Sequence, residues 1–221
     1  LPDGPGTETF WIRFLYGHPQ SIDDRLMNAV AQNANICSYF DIPIQHASRS
    51  LLKKMGRHYG PDDLRLMLER IRRLMPEAAL RTTVIVGFPG ETDADFDELM
   101  RFVESERFNH LGCFVYSDSE DLPSHGLPNH VPTATARERR RILMERQQEI
   151  SASRNRDFQD RKVAVLVEEH QENGLYIGRT EFQAPEVDGV TYVHADRLQT
   201  GCFAMVRVTD TLEYDLVGEA V

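Results

Sequence analysis

The hydrophobic period of this chain changes once, near residue 160, and one packing layer cannot satisfy both patterns. Before that point, apolar runs such as "FWIRFLY" (10–16), "YFDIPI" (39–44), "LRTTVIVG" (80–87) and "LGCFVYS" (111–117) alternate with segments of helical spacing. In "GPDDLRLMLERIRRLMP", Leu64, Met67, Leu68, Ile71 and Leu74 fall on one stripe, with Pro61 suited to a first turn and Pro76 ending the pattern. Ser21 is expected to cap a helix reaching Asn33, with Asp23 and Asp24 in its first turn. A short helix is expected from Ser48 to Met55, and Thr92 with Asp95 forms a capping pair for a helix running to Glu106. Helices of this length between apolar strands imply parallel pairing through right-handed crossovers. Pro43 fits poorly in a central ladder, so that strand end is expected to bulge or face a ligand mouth.

A long polar helix from about Ala136 to Phe158 follows, with Ile142, Leu143 and Ile150 as a thin apolar stripe. After Arg161 the period becomes two. "KVAVLVEE", "LYIGRTEF", "VTYVHA", "FAMVRVTD" and "EYDLVGEAV" are short strands separated by Asn-Gly, Asp-Gly and Thr-Gly turns, which predicts a small five-stranded OB-like antiparallel barrel. The expected fold is α/β: a parallel sheet or barrel over 1–135, a connecting basic helix over 136–160, and the small barrel over 161–221. The four expected parallel strands form an open, curved sheet. Its 10–16 strand exposes an edge that invites self-association unless residues 1–9 cover it.

Charge narrows the function. The chain carries a net charge of -10, against a general grip on phosphate. Nine basic residues stand against five acidic ones between Arg137 and Lys162, whereas 161–221 holds five basic and eleven acidic. An arginine run such as 137–141 is by default a solvated helix face. Cys37, Cys113 and Cys202 are far apart and suggest neither a disulfide framework nor a zinc site. No metal ligand is assigned: His125 and His130 read as loop histidines. No window is apolar enough to span a membrane and the N-terminus lacks a signal-peptide layout, so a cytoplasmic setting is expected.

In parallel α/β sheets, ligands sit beyond the carboxyl ends of the strands. His18, Gln45, His46, the stretch Gly87 to Glu91 and Tyr116-Ser117-Asp118 fall there. Gly87 and Gly90 permit close backbone approach, and the Glu91 carboxylate suits an amine or a ribose. Read alone, Gly-Phe-Pro-Gly serves a tight strand-to-helix turn somewhat more readily than a binding loop. His46 serves equally as a backbone-bonded residue at a helix start.

"YFDIPIQHASRSLLKKMGRHYG", "RTTVIVGFPGET" and "FNHLGCFVYSDSE" together resemble the second half of the radical S-adenosylmethionine (SAM) barrel in the methylthiotransferase family. This resemblance makes 1–135 a partial parallel (β/α) barrel, and the terminal barrel resembles that family's TRAM domain. "GRTEFQAPEVDG" and "EYDLVGE" are similar to the RimO-type branch, which modifies a ribosomal protein, and not to the tRNA-modifying branch. The resemblance implies attachment of a methylthio group to the β-carbon of an aspartate in small-subunit ribosomal protein S twelve. It implies S-adenosyl-L-methionine as cofactor and two 4Fe-4S clusters in the full-length protein.

The resemblance carries Gln45, His46, Arg57, Gly87 and Glu91 over as cofactor-binding residues, and Arg179, Glu186 and Asp188 as substrate contacts; Arg81 reads equally as a structural ion-pair partner. No catalytic residue is assigned. The pattern departs in one respect: the CxxxCxxC triplet of the radical cluster is missing. The chain is therefore expected to bind no cluster, to be inactive alone, and to represent the C-terminal portion of the enzyme. The acidic surplus of 161–221 suits a basic protein partner, with the loop Gln183 to Gly189 presenting Glu186 and Asp188, and nucleic acid is not expected except via the ribosome. A tRNA methylthiotransferase of the same fold and a non-catalytic protein-binding fragment remain as alternatives.

Overall fold

The computed structural model describes residues 10–221, so the expectation that residues 1–9 cover a sheet edge lies outside the described residues. Pro19–Ser21 forms one 3-10 turn, and α1 (Asp24–Gln32) starts just after it. Asp23 caps α1, accepting from Leu26 N at 2.8 Å. The expected cap, Ser21, is absorbed into the turn that Pro19 starts.

The segment 10–16 is not a strand. Its ladder contact is a single bridge, Ile12 to Ile36, and Gly17 N reaches Asp41 O at 2.8 Å. Phe10, Ile12, Leu15 and Tyr16 are all exposed. The run thus touches its neighbours near its two ends with no ladder between them, and among the described residues three strands, not four, form the parallel sheet.

That sheet is β1 (Tyr39–Asp41), β2 (Ala79–Val86) and β3 (His110–Val115), in that order. β1 is shorter than its apolar run because Pro43 has no N–H to donate. The Thr82 hydroxyl fills the gap, donating to Ile42 O at 2.8 Å and accepting from Ile44 N at 3.3 Å. Pairing resumes at Gln45, whose N–H meets Thr83 O at 3.0 Å.

Outside the sheet lie α2 (Arg49–Lys54), α3 (Pro61–Leu74) and α4 (Asp93–Glu106). α4 begins with the expected box: Thr92 Oγ1 accepts from Asp95 N at 3.2 Å and Asp95 accepts from Thr92 N at 3.0 Å. Leu80, Val84 and Val86 of β2 join Leu68 and Ile71 of α3 and Leu99 and Phe102 of α4 in one buried core. Each such side chain contributes roughly 1.5–3 kcal/mol on burial. The alternate β2 residues, Arg81, Thr83 and Ile85, lie on the opposite, partly exposed face.

α5 (Thr133–Arg156) lies along β3. Its buried stripe is Ala136, Arg139, Leu143, Gln147 and Ile150, whereas Ile142 is 37% exposed. Arg140 Nε donates to Cys113 O at 3.0 Å, Gln147 Nε2 to Phe108 O at 2.9 Å and Ser151 Oγ to Asn109 O at 2.7 Å. Side chains of α5 thus occupy carbonyls at β3 that would otherwise template another strand. The arginine run at 137–141 is consequently not uniformly a solvated face: Arg139 is buried and Arg140 is bound to β3.

Strands β4 (Lys162–His170), β5 (Leu175–Arg179), β6 (Thr191–His194), β7 (Phe203–Thr211) and β8 (Leu216–Ala220) close into a barrel in the order β4-β5-β6-β8-β7. Four contacts are antiparallel and β6–β8 is parallel. A closed ring with an odd number of strands cannot alternate direction throughout, so a parallel seam is unavoidable. Val165, Val167, Val193, Val206 and Val208 fill the interior.

The barrel docks at the amino ends of the parallel strands. Arg13 donates to Glu181 O at 2.8 Å, His110 Nε2 lies 3.1 Å from Phe182 O, and Tyr39 Oη donates to Asp188 Oδ2 at 2.6 Å. Trp11 meets Phe203 edge-on, with ring centroids 4.7 Å apart.

Candidate functional site

At the carboxyl ends of β2 and β3 the chain builds a cleft of about 420 Å³, lined among others by Gln45, Arg57, Ile85, Phe88, Tyr116 and Ser124. Its shape starts from backbone conformation. Gln45 has φ 68°, and Gly87 and Gly90 have φ 80° and 81°, a region open to glycine at little cost. A Cβ on Gly87 would sit 2.4 Å from the Ala136 Cβ, so the turn also needs glycine for its close approach to α5. Gly90 N donates to Asn129 O at 2.8 Å, tying the turn to the loop before α5.

Beneath the cleft lies a closed polar network. Ser48 N donates to His46 Nδ1 at 2.9 Å. That nitrogen is therefore the acceptor, and the ring proton sits on Nε2, 3.2 Å from Glu91 Oε1. Glu91 Oε2 accepts from Gly87 N and from Arg139 Nη1, the latter at 2.9 Å. Arg139 Nη2 continues to Asp93 at 2.6 Å. His46 and Glu91 have side chains fully removed from solvent. The Glu91 carboxylate is already spent on closing the turn, so the expected role as acceptor for an amine or a ribose is not what this geometry offers. The residues read as cofactor contacts divide accordingly. Gln45 and Arg57 line the cleft, whereas His46, Gly87 and Glu91 build the support under it.

Arg57 is the most telling lining residue. Its Nε is buried without a hydrogen-bond partner, and an unpaired buried donor is costly unless a ligand acceptor meets it. Phe88 and Tyr116 pack edge to face beside it, centroids 5.2 Å apart, and Lys54 adds a second cation. Tyr116 is held by Ser124 Oγ at 2.8 Å and Asp118 Oδ1 at 3.0 Å. Two cations and two aromatic rings suit a small molecule with a carboxylate and a planar ring. Sequence reasoning missed Lys54, Phe88 and Arg139 as parts of this site. Phe88 lay inside the flagged turn, while Arg139 carried no local signal.

The residues read as substrate contacts do not form one surface. Arg179 is engaged by Glu168 Oε1 at 2.7 Å, and Glu186 is exposed. Asp188, expected to present its carboxylate outward, points inward and is fully buried. It accepts from Tyr39 Oη and from Ala184 N at 2.8 Å, and its Oδ1 lies 3.3 Å from Arg81 Nε. Arg81 in turn meets Asp41 Oδ1 at 3.0 Å. A carboxylate with two donors and a guanidinium at hand is better satisfied inside than in water. Burial, with Asp188 next to it, pushes the Tyr39 phenol up, and burial pushes His110 down despite the nearby carboxylate.

Cys37 precedes β1, Cys113 lies within β3 and Cys202 precedes β7. Among the described residues no group of three His, Cys, Asp or Glu side chains could hold a metal ion. The residues present do not fit an iron-sulfur cluster. No helix among them is long and apolar enough to cross a membrane.

Comparison with known proteins supplies two domain matches and a set of relatives. Residues 15–103 match the Radical SAM superfamily and residues 161–221 match the TRAM domain. A protein of Desulfosudis oleivorans named ribosomal protein uS12 methylthiotransferase RimO is 48% identical over 211 residues, covering 95% of this chain and 48% of that protein. Proteins of the same name from Clostridioides difficile and Fervidobacterium nodosum are each 45% identical over 212 residues, again covering 48% of the first. The chain thus spans about half the length of the curated relatives it matches. With its parallel sheet, its closed terminal barrel and these matches, the chain carries part of a radical SAM domain together with a TRAM domain, and over nearly its whole length it is similar to about half of the methylthiotransferases named above.

Proposed function

We propose that this chain is the cofactor-holding and substrate-docking portion of an enzyme that methylthiolates ribosomal protein uS12 at the β-carbon of an aspartate. The observation that carries the reading is the 48% identity over 95% of the chain to a relative of that name. In this reading the chain divides into barrel (1–135), connecting helix (136–160) and TRAM domain (161–221). Bound in the cleft, S-adenosylmethionine would supply radical and methyl-transfer chemistry. Arg57 binds its carboxylate, Phe88 and Tyr116 pack on its ring, and Gln45 fixes orientation. His46, Glu91 and Arg139 hold the turn that shapes the wall. Because no three thiolates converge among the described residues, the chain by itself would hold no radical cluster and would be inactive alone.

The charge of the TRAM segment favours a basic protein over tRNA: eleven acidic residues face five basic ones in 161–221. Calorimetry tests both halves of the reading. S-adenosylmethionine should bind the chain, and Arg57→Gln should weaken it about tenfold, as loss of a charge-assisted hydrogen bond does. Purified uS12 should bind with an affinity that falls as salt rises. Tight binding of a tRNA anticodon stem-loop with none of uS12 would return the chain to the tRNA-modifying alternative.

A further inference from the structure

A second cavity, of about 450 Å³, lies at the other end of the strands, between β3, α5 and the TRAM barrel. Its walls are apolar: Leu111 and Met144 on one side, Val187 and Tyr214 on the other. Its polar groups are Arg81, His110, Asp188 and Asp215. Arg81 is shared between Asp41 at 3.0 Å and Asp188 at 3.3 Å. Arg13, the other cation nearby, is committed to the Thr180 and Glu181 carbonyls. Burial lowers the pKa of His110, against the pull of Asp188 Oδ1 at 3.6 Å from its Nδ1. Asp188 Oδ1 is buried with no hydrogen bond, although Arg81 lies beside it. Asp215 Oδ1 accepts from Val190 N at 2.7 Å, and its other oxygen has no protein hydrogen bond among the described residues.

We propose that this cavity takes a long cationic side chain, lysine or arginine, of the protein substrate, its aliphatic stem against Leu111, Met144, Val187 and Tyr214 and its charged head toward Asp215 and Asp188. The assignment deepens the proposed function and rests on that reading for the identity of the partner. Three observations converge on it. Carboxylates outnumber free cations around the cavity. Asp188 Oδ1 forms no hydrogen bond despite Arg81 Nε at 3.3 Å and His110 Nδ1 at 3.6 Å, and one Asp215 oxygen has no protein donor among the described residues. The apolar walls match the stem of a side chain that buries its methylenes and keeps its head polar. The cavity opens between the two domains, where a docked protein touches both at once.

The test uses the 221-residue chain with carbon-13-labelled methionine methyls, so that Met144 reports from the cavity wall. The probes are three blocked tripeptides, acetyl-Gly-X-Gly-amide, with X arginine, lysine or citrulline. The arginine and lysine peptides should shift the Met144 methyl saturably, and neutral citrulline should bind about tenfold more weakly. Asp215→Asn keeps the acceptor for Val190 N and should lower the affinity of the cationic peptides by a similar factor. Val187→Lys, at a residue 50% exposed, should abolish binding by placing an ammonium at the mouth. Equal binding of citrulline, or no saturable shift with any peptide, would overturn the proposal.

Addition of uS12 separates the two readings. If uS12 binds and displaces the arginine peptide, the assignment stands. If uS12 binds without displacing it, this cavity is not where the substrate side chain goes, while the proposed function survives. If uS12 does not bind at all, the proposed function fails and the cationic site is judged on the peptides alone.

Discussion

Arg139 of α5 reaches Glu91 across forty-eight residues of sequence, Nη1 to Oε2 at 2.9 Å, with 8% and 0% of the two side chains exposed. The pair joins the turn after β2 to the helix that lines β3. Removing the Glu91 charge leaves Arg139 with only the exposed Asp93, at 2.6 Å, as a charged partner, a loss of about 3 kcal/mol. Glu91→Gln should therefore lower unfolding stability by about that amount, and the double variant Glu91→Gln, Arg139→Met should recover part of it. Urea titrations of the wild type and these two variants decide this; a single-variant loss under about 0.5 kcal/mol would show that water reaches the pair.

Two glycines with the same backbone conformation should respond differently to a methyl group. Gly87 and Gly201 both have φ 80°, but a Cβ at Gly87 meets Ala136 at 2.4 Å, while nothing lies within 4 Å of one at Gly201. Gly201→Ala should cost about 1 kcal/mol from the left-handed conformation alone. Gly87→Ala adds overpacking and should cost about 3 kcal/mol in total. It should also weaken binding of S-adenosylmethionine, which Gly201→Ala should leave unchanged. Equal melting temperatures for the two variants would remove the steric account.

Asp95 makes stability depend on acid. Burial would raise its carboxyl, but the hydroxyls of Ser48, Thr92 and Ser50 and the Thr92 N–H outweigh it and hold the value down at about 2, against an ordinary 3.8. A depressed folded-state value stabilises fully above the unfolded value and is lost as pH falls toward the folded one. The wild type should thus lose, between about pH 4 and pH 2, an advantage over Asp95→Asn of order 1 kcal/mol after solvent screening. Denaturation of both proteins at several pH values in that window checks the sign; a gap that widens on acidification would contradict it.

Thiol reactivity should separate the three cysteines. Cys37 and Cys113 are buried, and Cys202 is exposed. Burial pushes the Cys113 thiol up to about 12 and raises Cys37 as well. An aromatic disulfide reagent at pH 8 should titrate one thiol in the native chain and three in denaturant. Mass spectrometry should place the native label on Cys202, and fast labelling of Cys113 would show that α5 lifts from β3.

Much of this architecture is legible in local pattern because local forces set it. The Thr92–Asp95 cap, the break at Pro43 and the two glycines of the 87–90 turn each follow from the chemistry of a few neighbouring residues. What escapes the sequence is set from far away. Asp188 and Glu186 look alike in one loop, and it is partners far away in sequence, Tyr39 at 149 residues and Arg81, that meet Asp188 when it turns inward. Arg139 sits in a run of arginines, and its burial depends on a carboxylate that α4's approach brings beneath it. The segment 10–16 has the composition of a strand, yet its backbone bonds to Asn35, Ile12's partner, and to Asp41 leave the middle unpaired.

The clasp of Arg13 on the Glu181 carbonyl also has a history in time. Its partners are 168 residues apart, and at the usual pace of synthesis that separation takes roughly ten to thirty seconds to make. During that interval the guanidinium of Arg13 and the indole of Trp11 have emerged while the strand that Trp11 packs on, beginning at Phe203, is still unmade. The contacts of Arg13 and Trp11 with the terminal barrel can therefore form only after residues 181 and 203 have been made, whereas those of Ile12 and Gly17 with Asn35 and Asp41 need no such wait.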